Sequence, residues 1–217
     1  MYFMNFSIKS DCGLSRAASQ IGEKIISINA VNSTSNINYI VAFTVGNDVA
    51  DIKKAFSKDF ENFSIVKGKL YTFITGMKHS HGIIPSITAN GGIPLFPTYA
   101  DGGIEAFNVL LFSKENLEYI IEAVKSHNDV VTMDYIRLRD GDSIIDNIKT
   151  LFSDVLITDL TPLEKKIIRA AFTSGFYTWP RQFSLEDISR DTGLSKPTVL
   201  YHIRNAERKV MRSLFSK

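Results

Sequence analysis

Cysteine and long apolar runs are what this 217-residue sequence most clearly lacks. Its one cysteine, Cys12, cannot form a disulfide within the chain, and such sparing use of cysteine favours a reducing compartment. No apolar stretch approaches the roughly 18 residues that a membrane-spanning helix needs. The opening MYFMNFSIKS also lacks the basic head and apolar core of a signal peptide. We therefore expect a cytoplasmic protein without disulfides or membrane spans.

Motifs that carry catalysis or bind cofactors are equally scarce. The chain has no Gly-x-Gly-x-x-Gly after a strand and no P-loop. Acidic pairs such as Asp140 and Asp142 flank a glycine, where solvation or helix capping accounts for them. His79 and His81 could form half of a metal site, but two alternate histidines lack the four-ligand spacing of structural sites and are better explained as surface residues. We therefore predict no enzyme activity, no metal and no cofactor.

Charge is unevenly distributed along the chain, although the formal net charge is only +2. Residues 161–217 contain 11 lysines and arginines against 5 aspartates and glutamates, a net charge of +6. Residues 1–160 contain 14 basic and 18 acidic residues, a net charge of −4. A basic module attached to a mildly acidic one indicates that the C-terminal part binds a polyanion while the N-terminal part does not.

The first 140 residues alternate between short strand patterns and short helix patterns. Their order, β-α-β-β-α-β, is typical of a ferredoxin-like α+β domain, in which two helices cover one face of an antiparallel sheet. A strand–helix–strand pattern recurs in residues 105–139, and Ser113 takes the capping position that Asn47 or Asp48 takes in the first copy. The repeat predicts two related α+β halves or one extended sheet.

A segment rich in glycine and proline, residues 79–105, separates the two copies. Glycine and proline at this density predict irregular backbone, yet the segment also contains many apolar residues, which a solvated linker would not need. We interpret it as a long apolar loop that contacts an effector or a partner. The candidate ligand-binding residues in it are His79, His81, Phe96, Tyr99 and Asp101.

Three helix-start signals follow a connecting helix and linker at residues 141–159. Thr161 and Glu164 have the spacing of a capping box, with proline at the first helical position between them. Ser184 and Asp187 repeat the spacing, and Ser195 offers a third cap. These signals predict that residues 160–217 form an all-α domain.

The last two of these helices have the pattern of a helix-turn-helix. The shorter helix ends at Gly193, which can adopt a positive φ, and the longer helix follows directly after a capping serine. At 100° per residue the longer helix has a single apolar face to bury, which consists of Val199, Ile203, Ala206 and Val210.

The opposite face of the longer helix, residues 196–212, has the chemistry of a recognition helix. Its arginines recur every fourth residue, as expected where early residues meet base edges and later ones meet phosphates. Arg204 and Asn205 match guanine and adenine edges respectively, and Lys196 suits a phosphate. A solvated face would explain the arginines alone, but the caps, the glycine turn and the basic charge together favour DNA binding. The candidate DNA-binding residues are Lys196, Pro197, Thr198, Tyr201, Arg204, Asn205, Arg208 and Arg212.

Five short motifs mark the same region: Leu-Thr at 160–161, Gly-Phe-Tyr at 175–177, Pro-Arg at 180–181, Gly-Leu-Ser at 193–195 and His-Ile-Arg-Asn-Ala-Glu at 202–207. In this order they resemble the C-terminal helix-turn-helix of the archaeal bacterio-opsin activator family. The resemblance implies a DNA-binding transcription regulator. A looser similarity extends to the α+β domain that members of that family often carry before the helix-turn-helix.

Together these observations predict a one-component transcription regulator. Its N-terminal domain, residues 1–140, would sense a small molecule or a protein, and its C-terminal domain would bind double-stranded DNA. A homodimer is expected, because one recognition helix reads only a half-site, and the chains could pair through Leu214 and Phe215 or through an exposed sheet edge. The alternative is a metabolite-binding enzyme or regulatory subunit whose basic C-terminal helices serve protein–protein contact.

Overall fold

Two units make up the chain, Met1–Phe152 and Ser153–Lys217. The computed structural model describes residues 1–32, 37–46, 48–79, 82–157 and 159–215. The elements of the first unit are β1 (Tyr2–Lys9), α1 (Gly13–Ile21), β2 (Ile25–Asn32), β3 (Ile37–Val45), α2 (Val49–Phe56), β4 (Glu61–Lys67), β5 (Tyr71–His79), α3 (Ile83–Ala89), β6 (Gly92–Asp101), β7 (Ile104–Leu111), α4 (Lys114–His127) and β8 (Asp129–Arg137). Then follow α5 (Gly141–Leu156), which runs past the boundary, and α6 (Pro162–Thr173), α7 (Leu185–Thr192) and α8 (Lys196–Phe215) of the second unit.

Eight strands of the described residues form one antiparallel sheet in the first unit, in the order β4-β5-β3-β2-β6-β7-β1-β8. The predicted α+β class is confirmed, and so is the β-α-β-β-α-β order of the first elements. Of the two arrangements that the repeat allows, the structure has the extended sheet. The reason is that β1 pairs with β7 and β8, the strands of the second copy, so the two copies share one sheet.

Apolar side chains cover both faces of this sheet. On one face, Ile40 of β3 packs in a cluster with α1 and α2, and Phe107 of β7 packs in a second cluster with α3 and α4. Successive strand residues point to opposite faces. On the other face, Phe3 of β1 shares a cluster with Leu151 of α5, and the hydroxyl of Tyr99 donates a hydrogen bond of 2.8 Å to the Leu151 carbonyl.

The starts of α2 and α4 fall where the sequence predicts them. Asp48 caps α2 through its side chain, while Asn47 lies outside the described residues. Ser113 caps α4, which covers Lys114–His127, the helix that the sequence pattern of this stretch predicts. The apolar spacing of residues 48–60 predicts a helix that runs to Phe60. α2 stops instead at Phe56, because the chain turns there to bury the Phe60 ring in the cluster under α1 and α2.

The interpretation of residues 79–105 as an irregular loop is wrong. In its described part the segment forms α3 and β6, an inner strand that pairs with both β2 and β7. Gly92 is required for packing, since a Cβ there would lie 2.6 Å from the side chain of Ile120. Gly102 and Gly103 both have positive φ, as a two-residue hairpin turn needs. Composition alone does not distinguish these uses of glycine from an irregular loop.

The second unit has its own core, enclosed by α6, α7 and α8. Both predicted capping boxes are present, one between Thr161 and Glu164 and one between Ser184 and Asp187. The buried core residues are Ile167, Ala171, Phe176, Ile188, Val199 and Ile203.

No helix in the described part of the chain is both long and apolar enough to cross a bilayer.

Helical spacing predicts an apolar face on α6 that consists of Leu163, Ile167, Ile168, Ala171 and Phe172, and this prediction is only partly correct. Ile167 and Ala171 are buried as expected, but Leu163 is exposed and Phe172 is 73% exposed. The buried side chain one turn before Ile167 is that of Glu164, a charged residue that hydrophobicity would not place inside. The stripe that α6 buries is therefore narrower than the sequence indicates.

Candidate nucleic-acid interface

The turn between α7 and α8 is built from one glycine and two serines. Gly193 ends α7 with φ of 69° and ψ of 12°, the left-handed conformation. The hydroxyl of Ser189 donates to the carbonyl of Leu194 across the turn. The hydroxyl of Ser195 accepts a hydrogen bond of 3.3 Å from the N–H of Thr198 and so caps α8. These contacts fix the direction in which α8 leaves α7.

Replacing Gly193 by alanine is expected to lower the free energy of unfolding of the second unit by about 1 kcal/mol, because a Cβ makes the left-handed conformation costly. No described atom outside its chain neighbours lies within 4 Å of the place of that Cβ, so strain rather than a clash sets the cost. Gly193→Asn is the matched control, since asparagine tolerates this conformation. Hydrogen-exchange pulse labelling in urea, read from α7 and α8 peptides, measures both variants, and equal losses would contradict the role of the turn.

α8 has one buried face and one exposed face. Val199, Ile203 and Ala206 are buried in the core of the second unit as predicted, and Val210 is half-buried. The helix spans 20 residues, or about 30 Å at 1.5 Å per residue. Its exposed face is therefore long enough to extend well beyond the turn.

The candidate DNA-binding residues occupy the exposed face. Tyr201 is 63% exposed and stands one turn before Arg204. The exposed members of the set are Lys196, Pro197, Tyr201, Arg204, Arg208 and Arg212, and the half-buried members are Thr198 and Asn205. The arginines thus form a row along α8 on the side away from its buried face.

Carboxylates lie beside two of the cations on this face. The Arg204 guanidinium contacts the Glu207 carboxylate at 2.9 Å, and the Lys196 ammonium contacts Glu186 of α7 at 2.8 Å. Glu207 also accepts a 2.9 Å hydrogen bond from the hydroxyl of Tyr177. Burial, followed by that hydrogen bond, raises the pKa of Tyr177 well above its ordinary value, so the phenol stays protonated and donates.

Neither Glu186 nor Glu207 is among the surface residues predicted from the sequence. Glu207 is three residues after Arg204, a spacing at which charged helix residues are neighbours, so its pairing was accessible from the sequence. The pairing of Glu186 with Lys196 joins two helices across the turn and has no local signal in the sequence.

A further contact within α8 orders the middle of its exposed face. The guanidinium of Arg208 donates a hydrogen bond of 2.9 Å to the amide oxygen of Asn205.

Of the two histidines in the candidate ligand set, the structure describes one, His79. His79 ends β5 with its side chain 65% exposed, and its ring nitrogen lies 3.7 Å from a carboxylate oxygen of Glu61. His81 lies outside the described residues.

The other three ligand candidates are all on β6. Tyr99 points to the face of the sheet that α5 covers, where its hydroxyl bonds to Leu151. Phe96 is half-buried, and Asp101 is exposed at the end of the strand. Of the described members of the set, His79 thus lies at the end of β5 and the other three lie along β6.

Comparison with known proteins identifies the second unit. Residues 160–212 match a family model described as "HTH DNA binding domain". A "Putative transcriptional regulator" of Haloferax volcanii is 32% identical over 66 residues, which are 30% of this chain and only 11% of that protein. No solved structure matches the chain. Residues 160–212 are therefore similar to a helix-turn-helix DNA-binding domain family, in agreement with the resemblance of their sequence motifs.

Proposed function

We propose that this chain is a one-component transcription regulator that binds double-stranded DNA through α8. The observation that carries the proposal is the row of Arg204, Arg208 and Arg212, which lies opposite the buried face of the second helix of a matched helix-turn-helix domain. In such motifs the second helix occupies the major groove. A helix about 10–12 Å across fits a groove about 12 Å wide.

Different positions along α8 are assigned different contacts. Lys196, at the start of the helix, is assigned a phosphate. Arg204 and Asn205 carry the side-chain types that form paired hydrogen bonds with guanine and adenine edges. Arg208 and Arg212, one and two turns further on, are assigned phosphates, which position the helix without reading sequence.

The internal ion pairs of α8 support a simple exchange on binding. Exposed pairs such as Arg204 with Glu207 contribute little to stability, so a phosphate or a base edge replaces the carboxylate at small cost. Until then the carboxylates hold the cations in order and reduce the positive charge that the face presents. Both effects favour specific over indiscriminate binding.

We assign the first unit to sensing and dimerisation. A two-fold dimer would present two copies of α8 to half-sites one helical turn apart, about 34–36 Å. Leu214 and Phe215 are exposed at the end of α8, and β4 and β8 are the edges of the sheet. Each is a candidate surface through which two chains pair.

Genome-wide mapping of the DNA that the tagged full chain occupies in cells tests the proposal. We expect enrichment at promoters, with a motif of two inverted half-sites whose centres are separated by about 10 base pairs or a multiple of it. The untagged strain is the control. Absence of enrichment over that control would contradict DNA binding, whereas a motif with a single half-site would contradict only the dimer.

A further inference from the structure

The connection between α6 and α7 is a closed, hydrogen-bonded loop. It opens at Gly175, whose φ of 84° is left-handed and where a Cβ would lie 2.8 Å from the side chain of Gln182. The carbonyl of Gly175 accepts hydrogen bonds of 2.7 Å from the hydroxyl of Thr178 and of 3.1 Å from the N–H of Gln182. These bonds hold the two ends of residues 175–182 together, and we call this segment the α6–α7 loop.

Phe176 anchors the α6–α7 loop in the core of the second unit, where it is 8% exposed. The guanidinium of Arg181 lies over its ring, 4.1 Å from the centroid. The Nε of Arg181 also donates a hydrogen bond of 3.0 Å to the Phe176 carbonyl. Because the loop is ordered in the free chain, a partner that binds to it pays little conformational entropy for ordering it.

Trp179 stands out from this ordered loop with 96% of its surface exposed. Tryptophan buries about 150–250 Å² of mainly apolar surface when it packs, and on average it is highly buried. A single exposed leucine needs no explanation, but a tryptophan that a rigid loop holds in solvent indicates a binding surface. Its indole N–H is a donor, so the partner should offer apolar surface with hydrogen-bond acceptors next to it.

The α6–α7 loop lies beside the arginine row of α8. The hydroxyl of Tyr177 donates a hydrogen bond of 2.9 Å to Glu207, whose carboxylate contacts the guanidinium of Arg204 at 2.9 Å. Trp179 is two residues further along the chain, so its Cα lies within about 7 Å of that of Tyr177. With α8 in the major groove, a loop at its flank faces the sugar–phosphate backbone, as the loop between the first two helices does in homeodomains.

The sugar–phosphate backbone has the chemistry that this surface requires. Deoxyribose offers C–H groups to the indole ring, and phosphate oxygens accept hydrogen bonds from N–H donors. Arg181 is exposed and uses its Nε–H within the loop, so its other guanidinium N–H groups remain for a phosphate. The net charge of +6 on residues 161–217 favours a polyanion over an apolar protein surface.

We propose that the α6–α7 loop is a second DNA contact, outside the recognition helix. Trp179 packs against a deoxyribose of the strand that borders the groove and donates its indole N–H to a phosphate, and Arg181 binds a neighbouring phosphate. Both contacts are to the backbone, so they add affinity without reading sequence. The assignment rests on the proposed function, because it requires α8 to lie in the major groove.

Collisional quenching of tryptophan fluorescence by acrylamide tests the assignment on the full chain, because Trp179 is its single tryptophan. The chain is measured free and saturated with a duplex that it selects from a random library. We expect strong quenching in the free chain and a quenching constant about threefold or more lower in the complex, because a packed ring loses most of its exposed surface. Unchanged quenching in the saturated complex would overturn the assignment. A tryptophan already protected in the free chain would also overturn it, since the loop would then contact protein.

Trp179→Ala separates a backbone contact from a base contact. We expect the variant to bind the selected duplex and a duplex of unrelated sequence about tenfold more weakly, by the same factor for both. Phe172→Ala is the matched control, since it removes an aromatic ring that is 73% exposed on α6. The control should bind as the wild type does. Wild-type affinity of Trp179→Ala, or an equal loss in Phe172→Ala, would overturn the assignment.

Fluorescence anisotropy of the labelled duplex measures DNA binding in the same samples, so the two proposals fail in different ways. If the duplex binds and Trp179 stays open to acrylamide, the loop assignment fails and the proposed function stands. If no duplex binds at all, the proposed function fails and the loop assignment fails with it.

Discussion

Charge reversal of Arg204 and Arg208 together is expected to abolish sequence-specific binding to duplex DNA. A lost base contact costs about 1–3 kcal/mol of discrimination, and turning two cations into anions beside phosphates adds repulsion. For Arg204→Glu/Arg208→Glu we expect the affinity to fall by about 1,000-fold or more. Fluorescence anisotropy with a duplex that the wild-type chain selects from a random library measures the loss at fixed ionic strength.

Lys166→Glu/Arg169→Glu is the matched control for this experiment. It makes the same change in net charge in the same unit, at two exposed positions of α6. We expect it to weaken binding by less than about tenfold, because it alters only the long-range field of the domain. If the control loses as much affinity as the α8 variant, binding to duplex DNA depends on the net charge of the unit and not on the position of the charges on α8. If the α8 variant keeps its affinity while both variants fold, α8 is not the recognition helix.

Features of the fold that depend on a few neighbouring residues could be predicted from the sequence. The capping boxes at Thr161 and Ser184 and the positive φ of Gly193 are local, because each is decided within about four residues along the chain. The buried face of α8 follows equally from its periodicity. These are the features that define the helix-turn-helix, so the candidate interface could be predicted from the sequence.

Features that depend on distant pairing could not be predicted. Nothing in the sequence indicates that β1 pairs with β7, a strand of the second copy of the repeat. That pairing places Glu105 near Cys12. Asn38 and Lys78 meet only because β3 pairs with β5. Composition draws attention instead to the glycine-rich segment, residues 79–105, and its histidines, because glycine, proline and histidine are conspicuous in a sequence and a pairing between distant strands is not.

A buried ion pair links the start of α6 to α8, and we expect the stability of the second unit to depend strongly on it. One oxygen of Glu164 accepts from the ammonium of Lys209 at 2.7 Å and from the N–H of Thr161 at 2.8 Å. The side chain of Glu164 is 4% exposed and that of Lys209 is 28% exposed. Burial opposes ionisation of Glu164, but the hydrogen bonds from Lys209 and Thr161 hold its pKa below the ordinary value.

Glu164→Ala is expected to lower the free energy of unfolding of the second unit by about 3 kcal/mol, because it leaves the mostly buried ammonium of Lys209 unpaired and removes half of the capping box. Hydrogen-exchange pulse labelling of α6 and α8 in urea measures the change. Since the folded pKa of Glu164 is depressed, its contribution is present above the ordinary carboxyl pKa of about 4.3 and is lost as the pH falls through the folded pKa. Glu164→Gln should lack this dependence on acid.

The double variant Glu164→Gln/Lys209→Met distinguishes an unpaired charge from lost packing. Glutamine keeps the capping box, and methionine replaces the apolar stem of lysine without its charge. Replacing both partners of a buried pair by neutral groups of similar shape is often close to neutral, so we expect the double variant to lie within about 1 kcal/mol of the wild type. If it is as unstable as Glu164→Ala, the ion pair itself is needed to hold α6 against α8. If it recovers, as we expect, the charge pair is dispensable for stability and the loss in Glu164→Ala comes mainly from the stranded ammonium.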